Sequence, residues 1–289
     1  MFVAILLITL ILLVIPFAGT LVKDVVAHKN EPMKKPHWFF GLTGFVANFL
    51  DTLGIGSFAI ITAIFKTTKA VDDRIIPGTL NVANAIPIAV QAIIFITVIE
   101  VDIITLASLI VSATVGAWMG AGIIAKFDRK KIRLVMGVAL FFTALLMILS
   151  MVGLIEGYGN ATKLTGGLFI AGIVGNFILC VLMTAGIGLY APCMAMLFLL
   201  GMQPLAVFPI MMGSCAFLMP VAGIKFIRKE KYARKPSVAI AIMGCVGVLI
   251  AAYLITSLPL KILKIVVIVV IIYTSVAMLH SAIKSGAVE

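Results

Sequence analysis

The chain has 289 residues, of which 63% are hydrophobic and only 11% are charged. A soluble domain averages about 25% charged residues, so this composition excludes an ordinary soluble enzyme and predicts a multi-pass protein embedded in the lipid bilayer. The formal net charge of +11 would also suit nucleic-acid binding, but membrane proteins concentrate lysine and arginine in their cytoplasmic loops. We therefore predict no nucleic-acid partner.

Residues that hold metals or cofactors are few. The chain has 3 histidines and 4 cysteines, and they form neither an H-E-x-x-H nor a C-x-x-C spacing. Metal sites and redox-active pairs depend on such spacings. We predict no metal, no cofactor and no disulfide.

Nine hydrophobic runs follow one another along the chain. The first, residues 1–22, has no basic start and about 20 apolar positions, which favours a retained transmembrane helix over a cleaved signal peptide. A basic loop follows at residues 23–37. The other runs cover 38–65, 75–99, 103–125, 133–155, 165–203, 205–224, 237–256 and 262–283.

The basic residues fix a topology for these runs. Four loops, at 23–37, 66–74, 126–133 and 225–236, contain 18 of the 22 lysines and arginines. If all four loops are cytoplasmic, the run between the first two begins and ends inside, so it is a hairpin. The long run at 165–203 is then a hairpin that begins and ends outside. We predict a multi-pass protein of the prokaryotic plasma membrane, with its N-terminus outside and its C-terminus inside.

Each predicted hairpin contains a Gly-Ile-Gly at its bend. The first reads LDTLGIGSFA at 50–59 and the second LMTAGIGLYA at 182–191. One tilted helix spans roughly 17–25 residues, so residues 38–65 could instead form a single long helix in which the glycines only pack. Residues 165–203 are too many for one crossing at about 1.5 Å per residue. Whether the hairpins are re-entrant or cross fully is left open.

The two halves of the chain resemble each other. GFVANF at 44–49 and GIVGNF at 172–177 agree at four of six positions. The glycines and prolines Gly54, Gly56 and Pro77 recur 132 residues later as Gly186, Gly188 and Pro209. We predict an all-α membrane fold of two inverted-topology repeats, 38–155 and 165–284, each a broken helical hairpin plus three transmembrane helices. Broken helices at corresponding positions are typical of secondary transporters.

Two further glycine pairs have the spacing of helix contacts. Gly116 with Gly120, and Gly244 with Gly247, leave little side chain on one helix face. Such small residues allow two helices to approach closely. We interpret these pairs as packing residues rather than as substrate contacts.

A family resemblance follows from three motifs. The hairpin with a Gly-x-Gly bend, the next helix with an internal proline, and SATVGAWMGAGIIAKFDRKKIR at 112–133 together resemble the TauE/SafE sulfite-exporter family. The resemblance runs from residue 38 through both halves. It implies transport of small sulfur-containing anions such as sulfite and organosulfonates. The family's bend is richer in glycine, whereas Ser57 and Leu189 follow the two Gly-Ile-Gly segments here, which leaves the exact substrate open.

The predicted anion site must use neutral donors, because no lysine or arginine lies deep inside a run. Helix N-termini favour anions, and glycine lets an anion approach the backbone closely. We predict substrate contacts at the two bends and on the proline-containing helices. The candidates are Asn48, Thr52, Gly54, Gly56, Ser57, Asn81, Asn84, Asn176, Thr184, Gly186, Gly188, Tyr190 and Ser214. For any one polar residue, an interhelical hydrogen bond is the alternative.

Asp51 is the carboxylate that lies well inside a hydrophobic run. A charge at mid-bilayer costs about 2.5 kcal/mol or more, so a function is expected for it. We predict that Asp51 couples transport to a proton by gaining or losing one as the anion site changes access. The alternative is that Asp51 caps the second arm of its hairpin or lies in water at the bend.

The sequence as a whole predicts a secondary transporter, an exporter of small sulfur-containing anions that works by alternating access between two repeats. Coupling to H⁺ or to Na⁺ and assembly into a homo-oligomer are left open. The alternatives are transport of a carboxylate, a thiol compound or a metal ion, and an intramembrane enzyme. An enzyme would need a nucleophile and base, or a metal set, and no histidine lies near the bends.

Overall fold

The structure, a computed structural model, describes residues 2–123, 129–152, 154, 159–184, 188–257 and 260–284. Throughout these residues the regular elements are α-helices. They are α1 (Phe2–Ala27), α2 (His37–Thr52), α3 (Ser57–Thr68), α4 (Ile76–Val98), α5 (Ile103–Ile123), α6 (Arg129–Met151), α7 (Gly166–Thr184), α8 (Tyr190–Leu199), α9 (Pro204–Arg228), α10 (Arg234–Ser257) and α11 (Leu260–Lys284).

Five of the described helices are long and apolar enough to cross a bilayer: α1, α4, α7, α9 and α10. Many large hydrophobic side chains lie exposed on the outside of the bundle, among them Ile8 and Leu12 of α1 and Leu249 of α10. In water such a surface would be unfavourable, whereas lipid chains solvate it. The fold is therefore that of a polytopic all-α membrane protein, as predicted.

Neither of the two long hydrophobic runs forms one continuous helix. The first breaks between Thr52 and Ser57, and the second gives way to α8 at Tyr190. Gly54 and Gly56 have φ values of 98° and 88°, which glycine adopts without the strain that a Cβ would introduce. The second arms, α3 and α8, have 12 and 10 residues, or about 18 and 15 Å. Each is shorter than the ~30 Å hydrocarbon core, which favours re-entrant hairpins.

The central helices α4 and α9, which contain Pro87 and the pair Pro209 and Pro220, pack against each other and are the most buried of the spans. Around them α2 packs on α10, and α7 packs on α5. The pairing stays the same when the corresponding helices of the two halves are exchanged. Two structurally related halves would produce this symmetric pairing.

Glycines bring the backbones of paired helices together. A Cβ on Gly44 of α2 would lie 2.5 Å from Ile240 O of α10, and one on Gly116 of α5 would lie 2.5 Å from Phe177 O of α7. A Cβ on Gly247 would contact Phe45 O still more closely. The packing role predicted for Gly116, Gly244 and Gly247 is thus confirmed, whereas the surroundings of Gly120 lie outside the described residues. No larger residue fits Gly44 or Gly116 without moving a helix.

One end of the bundle, where α1 ends and α10 begins, is held together by a cluster of ion pairs. It is called the basic end below. Arg234 at the start of α10 pairs with Asp24 at 2.8 Å and with Glu31 at 3.3 Å. Tyr232 donates its hydroxyl hydrogen to Asp24 at 2.5 Å, and burial together with this bond raises the pKa of Tyr232. The anchored carboxylate lies in the last turn of α1, which continues to Ala27, beyond its predicted end at 22.

The opposite end is closed by short loops that bond to one another. Thr105 donates its amide and its hydroxyl hydrogen to Asp102, each at 2.8 Å, so Asp102 caps the start of α5. The Leu164 amide donates to Thr105 Oγ1 at 3.2 Å. Ala161 and Met202 form an isolated parallel bridge. These contacts bring the loop before α7 against the loops that begin α5 and α9.

Candidate functional site

Asp51 lies in the last turn of α2 and is almost fully buried. One carboxylate oxygen accepts the amide hydrogen of Ser57, the first residue of α3. The other accepts from Gln91 Nε2 at 3.0 Å, and the same nitrogen donates to Thr52 Oγ1 at 2.8 Å. No lysine or arginine among the described residues pairs with this carboxylate. Neutral donors therefore surround it, from the second arm of its own hairpin and from α4.

Gln91 connects this carboxylate to the second half of the chain. Tyr190, the first residue of α8, donates its hydroxyl hydrogen to Gln91 Oε1 at 2.9 Å. Both side chains are buried. A single amide thus bridges the bend of the first half and the second arm of the other half. A buried amide with its donor and acceptor both satisfied holds its partners in a defined arrangement.

The first bend already contains a carboxyl group. With its amide bond to Ser57, Asp51 occupies the N-terminus of α3, where the free amides favour negative charge. This is the capping contact that the sequence left open as the alternative role of Asp51. The second half differs, because Met183 stands at the corresponding position of LMTAGIGLYA and has no oxygen with which to cap α8.

Two further polar pairs lie between the first arms and the central helices. Asn48 of α2 donates to Asn84 Oδ1 of α4 at 3.0 Å. Asn176 of α7 donates to Ser214 Oγ of α9 at 3.0 Å. The two pairs join corresponding helices of the two halves, and all four side chains are fully buried. Asn48 Oδ1 has no hydrogen-bond partner among the described atoms, so this amide retains a free acceptor.

A cavity of about 180 Å³ lies between α4, α5 and α9 near the basic end. Asn81 and Thr114 line it together with Lys225 and Lys229. Along α4, Asn81, Asn84 and Gln91 follow at spacings of three and seven residues, which places them on one face of the helix. This polar face covers about 15 Å of α4, from the cavity to Asp51.

Beyond Gln91 the central helices close on an aromatic pair. Phe95 of α4 and Phe208 of α9 are stacked, with ring centroids 5.4 Å apart and planes 13° apart. Both rings are fully buried. A cavity thus reaches the polar face from the basic end, and stacked rings separate that face from the opposite end.

The structure unites some of the predicted residues and leaves others apart. Thr52, Ser57 and Tyr190 join Asp51 around Gln91, whereas Asn48 pairs with Asn84 and Asn176 pairs with Ser214. Asn81 lines the cavity, and Gly54, Gly56 and Gly188 lie in the two bends. Gly186 and the side chain of Thr184 lie outside the described residues.

Gln91 was missed by the sequence interpretation. Charge counting ignores neutral side chains, so a glutamine inside a hydrophobic run passes unnoticed. Its signal is the spacing from Asn84, which places two amides on one face of α4. A buried amide needs partners in hydrocarbon, and that need could have identified it.

The sequence model of the sulfite exporter TauE/SafE family matches residues 1–147, just over half of the 289 residues. The chain belongs to the sulfite exporter TauE/SafE family. No curated protein and no solved structure matches it. The family resemblance read from the sequence is thereby confirmed.

The TauE/SafE match covers α1 to α5 and most of α6. It includes Asp51 and Gln91 but ends before Tyr190. Membership in this family makes the chain a membrane transport protein. Among the contacts that join the matched half to the rest of the protein is the hydrogen bond from Tyr190 to Gln91.

Proposed function

We propose that this TauE/SafE protein is a secondary transporter that exports small sulfur-containing anions, such as sulfite or organosulfonates, by alternating access. The family supports the substrate class. The bonded series Asp51–Gln91–Tyr190, which joins the two broken hairpins across α4, carries the proposal. A transporter needs such a connection because both halves must respond to one bound solute.

The substrate anion binds at the start of α8. Backbone amides at a helix N-terminus donate to anions, and Met183 leaves this terminus without the carboxylate that occupies the start of α3. The Tyr190 hydroxyl adds a donor that can turn from Gln91 toward a bound oxyanion. The anion would then lie within reach of the residues that hold Asp51.

Asp51 couples this binding to a proton. While ionised, the carboxylate holds Ser57 and Gln91 and repels a second negative charge nearby. Protonation removes that repulsion and weakens the charge-assisted bonds to both donors. Gln91 is then free to release Tyr190. In this scheme one proton on Asp51 accompanies one anion at α8, and the empty transporter returns with Asp51 ionised. The combined gradients of anion and proton set the direction of net transport, and export follows where the outward gradient of the anion is the larger.

Access to the site alternates between the two ends of α4 and α9. The cavity lined by Asn81, Lys225 and Lys229 forms the route from the basic end. The lysines would attract the anion at the mouth, and the asparagine amides would receive it further in. The stacked rings of Phe95 and Phe208 form the barrier toward the opposite end, and they must separate for release.

The test is accumulation in vesicles that contain the purified protein. Sulfite, an organosulfonate, a carboxylate and a thiol compound are each offered with an imposed proton gradient and then with an imposed sodium gradient. We expect the sulfur anions to accumulate under the proton gradient. Indifference to every sulfur anion would overturn the proposed substrate class, and accumulation under the sodium gradient alone would overturn proton coupling while leaving transport standing.

Asp51→Asn tests the carboxylate itself. The amide oxygen can still accept the hydrogen of Ser57, so the bend is preserved, but the side chain no longer takes up a proton. We expect exchange of labelled sulfite at equal pH on both sides to persist and accumulation driven by a pH gradient to be lost. Asp73→Asn, at an exposed position, is the matched control.

A further inference from the structure

A large apolar groove runs along the outside of the bundle at the basic end. It has a volume of about 960 Å³ and lies between the end of α1, the start of α2 and the start of α10. Its hydrophobic walls include Val26, Trp38, Leu42, Phe45, Ile242 and Met243. From Trp38 to Phe45, and likewise along α10, the walls extend about 10 Å from the basic end. The groove is therefore deep enough for part of an acyl chain.

The mouth of the groove is positively charged. Lys29, His37 and Lys235 line it, one from each of the three chain segments. Lys29 and Lys235 form no ion pair within the described residues. The nearby acids are already engaged, because Arg234 binds Asp24, Glu31 and Glu230 at 2.8 to 3.7 Å. The two lysines are thus left to attract a negative charge.

We propose that this groove binds one anionic phospholipid. The phosphate lies between Lys29 and Lys235 at the mouth, and an acyl chain lies against Trp38 and Ile242. A free phosphate would leave the apolar walls uncovered, and a neutral lipid would leave the lysines without a partner. The anionic phospholipid satisfies both parts of the groove at once, and basic side chains beside a membrane attract such headgroups.

The lipid would contact α2 and α10 together. These two helices approach each other at Gly44 and Ile240, and α2 carries Asp51 at its other end. A lipid in the groove would therefore contact both helices of the pair that positions the Asp51 carboxylate. Binding does not require the transport mechanism proposed above, so the two proposals are tested separately.

Tryptophan fluorescence provides the test, because the chain has only 2 tryptophans. Trp118→Phe leaves Trp38 as the single reporter inside the groove. The variant is placed in vesicles of neutral lipid that contain a fixed fraction of either a brominated anionic lipid or a brominated neutral lipid. We expect the anionic lipid to quench Trp38 more strongly than the neutral lipid does.

Replacing the lysines should weaken the preference of the groove for the anionic lipid. Lys29→Gln and Lys235→Gln should each lower the preference of Trp38 for the anionic lipid by about fivefold. Lys34→Gln with Lys35→Gln is the matched control, since it removes two charges from the neighbouring loop but none from the groove. Equal loss in this control would show general attraction to the surface and would overturn the site.

Two other outcomes would also contradict the proposal. Equal quenching by the two brominated lipids would show that ordinary lipid chains fill the groove without regard to charge. Protection of Trp38 from both lipids, together with a dimeric mass of the solubilised protein, would show that a second copy of the chain covers it.

Discussion

Tyr190 and Gln91 are 99 residues apart in the sequence, and the Tyr190 hydroxyl donates its hydrogen to Gln91 Oε1 at 2.9 Å. The bond places the start of α8 against the middle of α4. Because the nitrogen of the same amide donates to Asp51, a change at one broken hairpin reaches the other through a single side chain. The following variants separate this connection from ordinary packing.

Tyr190→Phe removes the hydroxyl and keeps the ring. The oxygen of Gln91 is then buried without a donor, which should lower the free energy of unfolding by about 1–3 kcal/mol. We also expect weaker coupling of sulfite transport to the pH gradient, because the two bends no longer share the amide. Thermal unfolding and vesicle accumulation measure the two effects. Tyr273→Phe, at an exposed position, should change neither, and an identical loss there would assign the effect to the membrane surface.

Gln91→Leu removes both functions of the amide while keeping similar volume. The carboxylate of Asp51 and the hydroxyl of Thr52 lose their shared donor, and hydrogen bonds to charged groups contribute about 1.5–3 kcal/mol. We expect transport of sulfite to fall by about tenfold or more, with the folded protein still recovered. Gln91→Asn keeps the amide on a side chain that is one CH₂ group shorter, so it tests whether the amide must reach both Asp51 and Tyr190. Full activity of the leucine variant would refute the bridging role.

Gly54→Ala tests the bend. The backbone there has φ of 98°, and an added Cβ would meet Val270 at an ordinary 3.8 Å, so the cost is conformational rather than steric. We expect a loss of about 1–2 kcal/mol in unfolding free energy and slower transport, since Asp51 and Ser57 flank the bend. Gly167→Ala, in a helix with open space around it, should be neutral or stabilising. Equal effects of Gly54→Ala and Gly167→Ala would show that the bend does not require glycine at residue 54.

Phe95→Leu tests the barrier at the opposite end. The smaller side chain cannot stack on Phe208, but it still fills most of the buried volume. We expect sulfite to leak through the protein without a pH gradient, measured as efflux from loaded vesicles. Phe141→Leu, which changes an exposed ring, should leave efflux unchanged. If Phe95→Leu shows no added efflux and transports sulfite normally, the stacked pair contributes to packing and is not a barrier.

Asp102 should make a pH-dependent contribution to stability. The amide and hydroxyl of Thr105 donate to its carboxylate, and these bonds lower its pKa in the folded protein. A carboxyl with a lowered folded-state pKa stabilises the protein above its unfolded value, about 3.9, and loses that contribution as pH falls through the folded value.

Asp102→Ala should therefore lower the free energy of unfolding at pH 7 by about 1 kcal/mol, as loss of a helix cap does. The difference from the parent protein should shrink as the pH falls below about 3.9. Unfolding in detergent at several pH values measures it. Glu100→Ala, at an exposed neighbouring position, is the control, and a difference that stays constant in acid would contradict the capping role of the carboxylate.

The sequence allowed the membrane class, the family and both helix breaks to be predicted, because each rests on local signals. Apolar length identifies spans, and glycine pairs identify the breaks at Gly54 and beyond Thr184. The hydrogen bond from the Ser57 amide to Asp51 could be predicted only as one of two alternatives, because it depends on the direction in which α3 leaves the bend.

The rest of the site depends on contacts between distant segments. No local pattern indicates that Tyr190 meets Gln91, or that Phe95 stacks on Phe208, because the packing of α4, α8 and α9 decides these pairs. The continuation of α1 to Ala27 has the same origin. It follows from the bonds of Asp24 to Tyr232 and Arg234, more than 200 residues away.

The close approach of Gly44 to Ile240 and of Gly116 to Phe177 limits how this protein can rearrange. Backbones in such contact cannot slide or rotate past each other without collision, so α2 must travel with α10, and α7 with α5. The rigid bodies of any transport cycle are then interleaved units, each made of helices from both halves. A cut in the connection between α6 and α7 would consequently yield two fragments, and neither would contain a complete moving part.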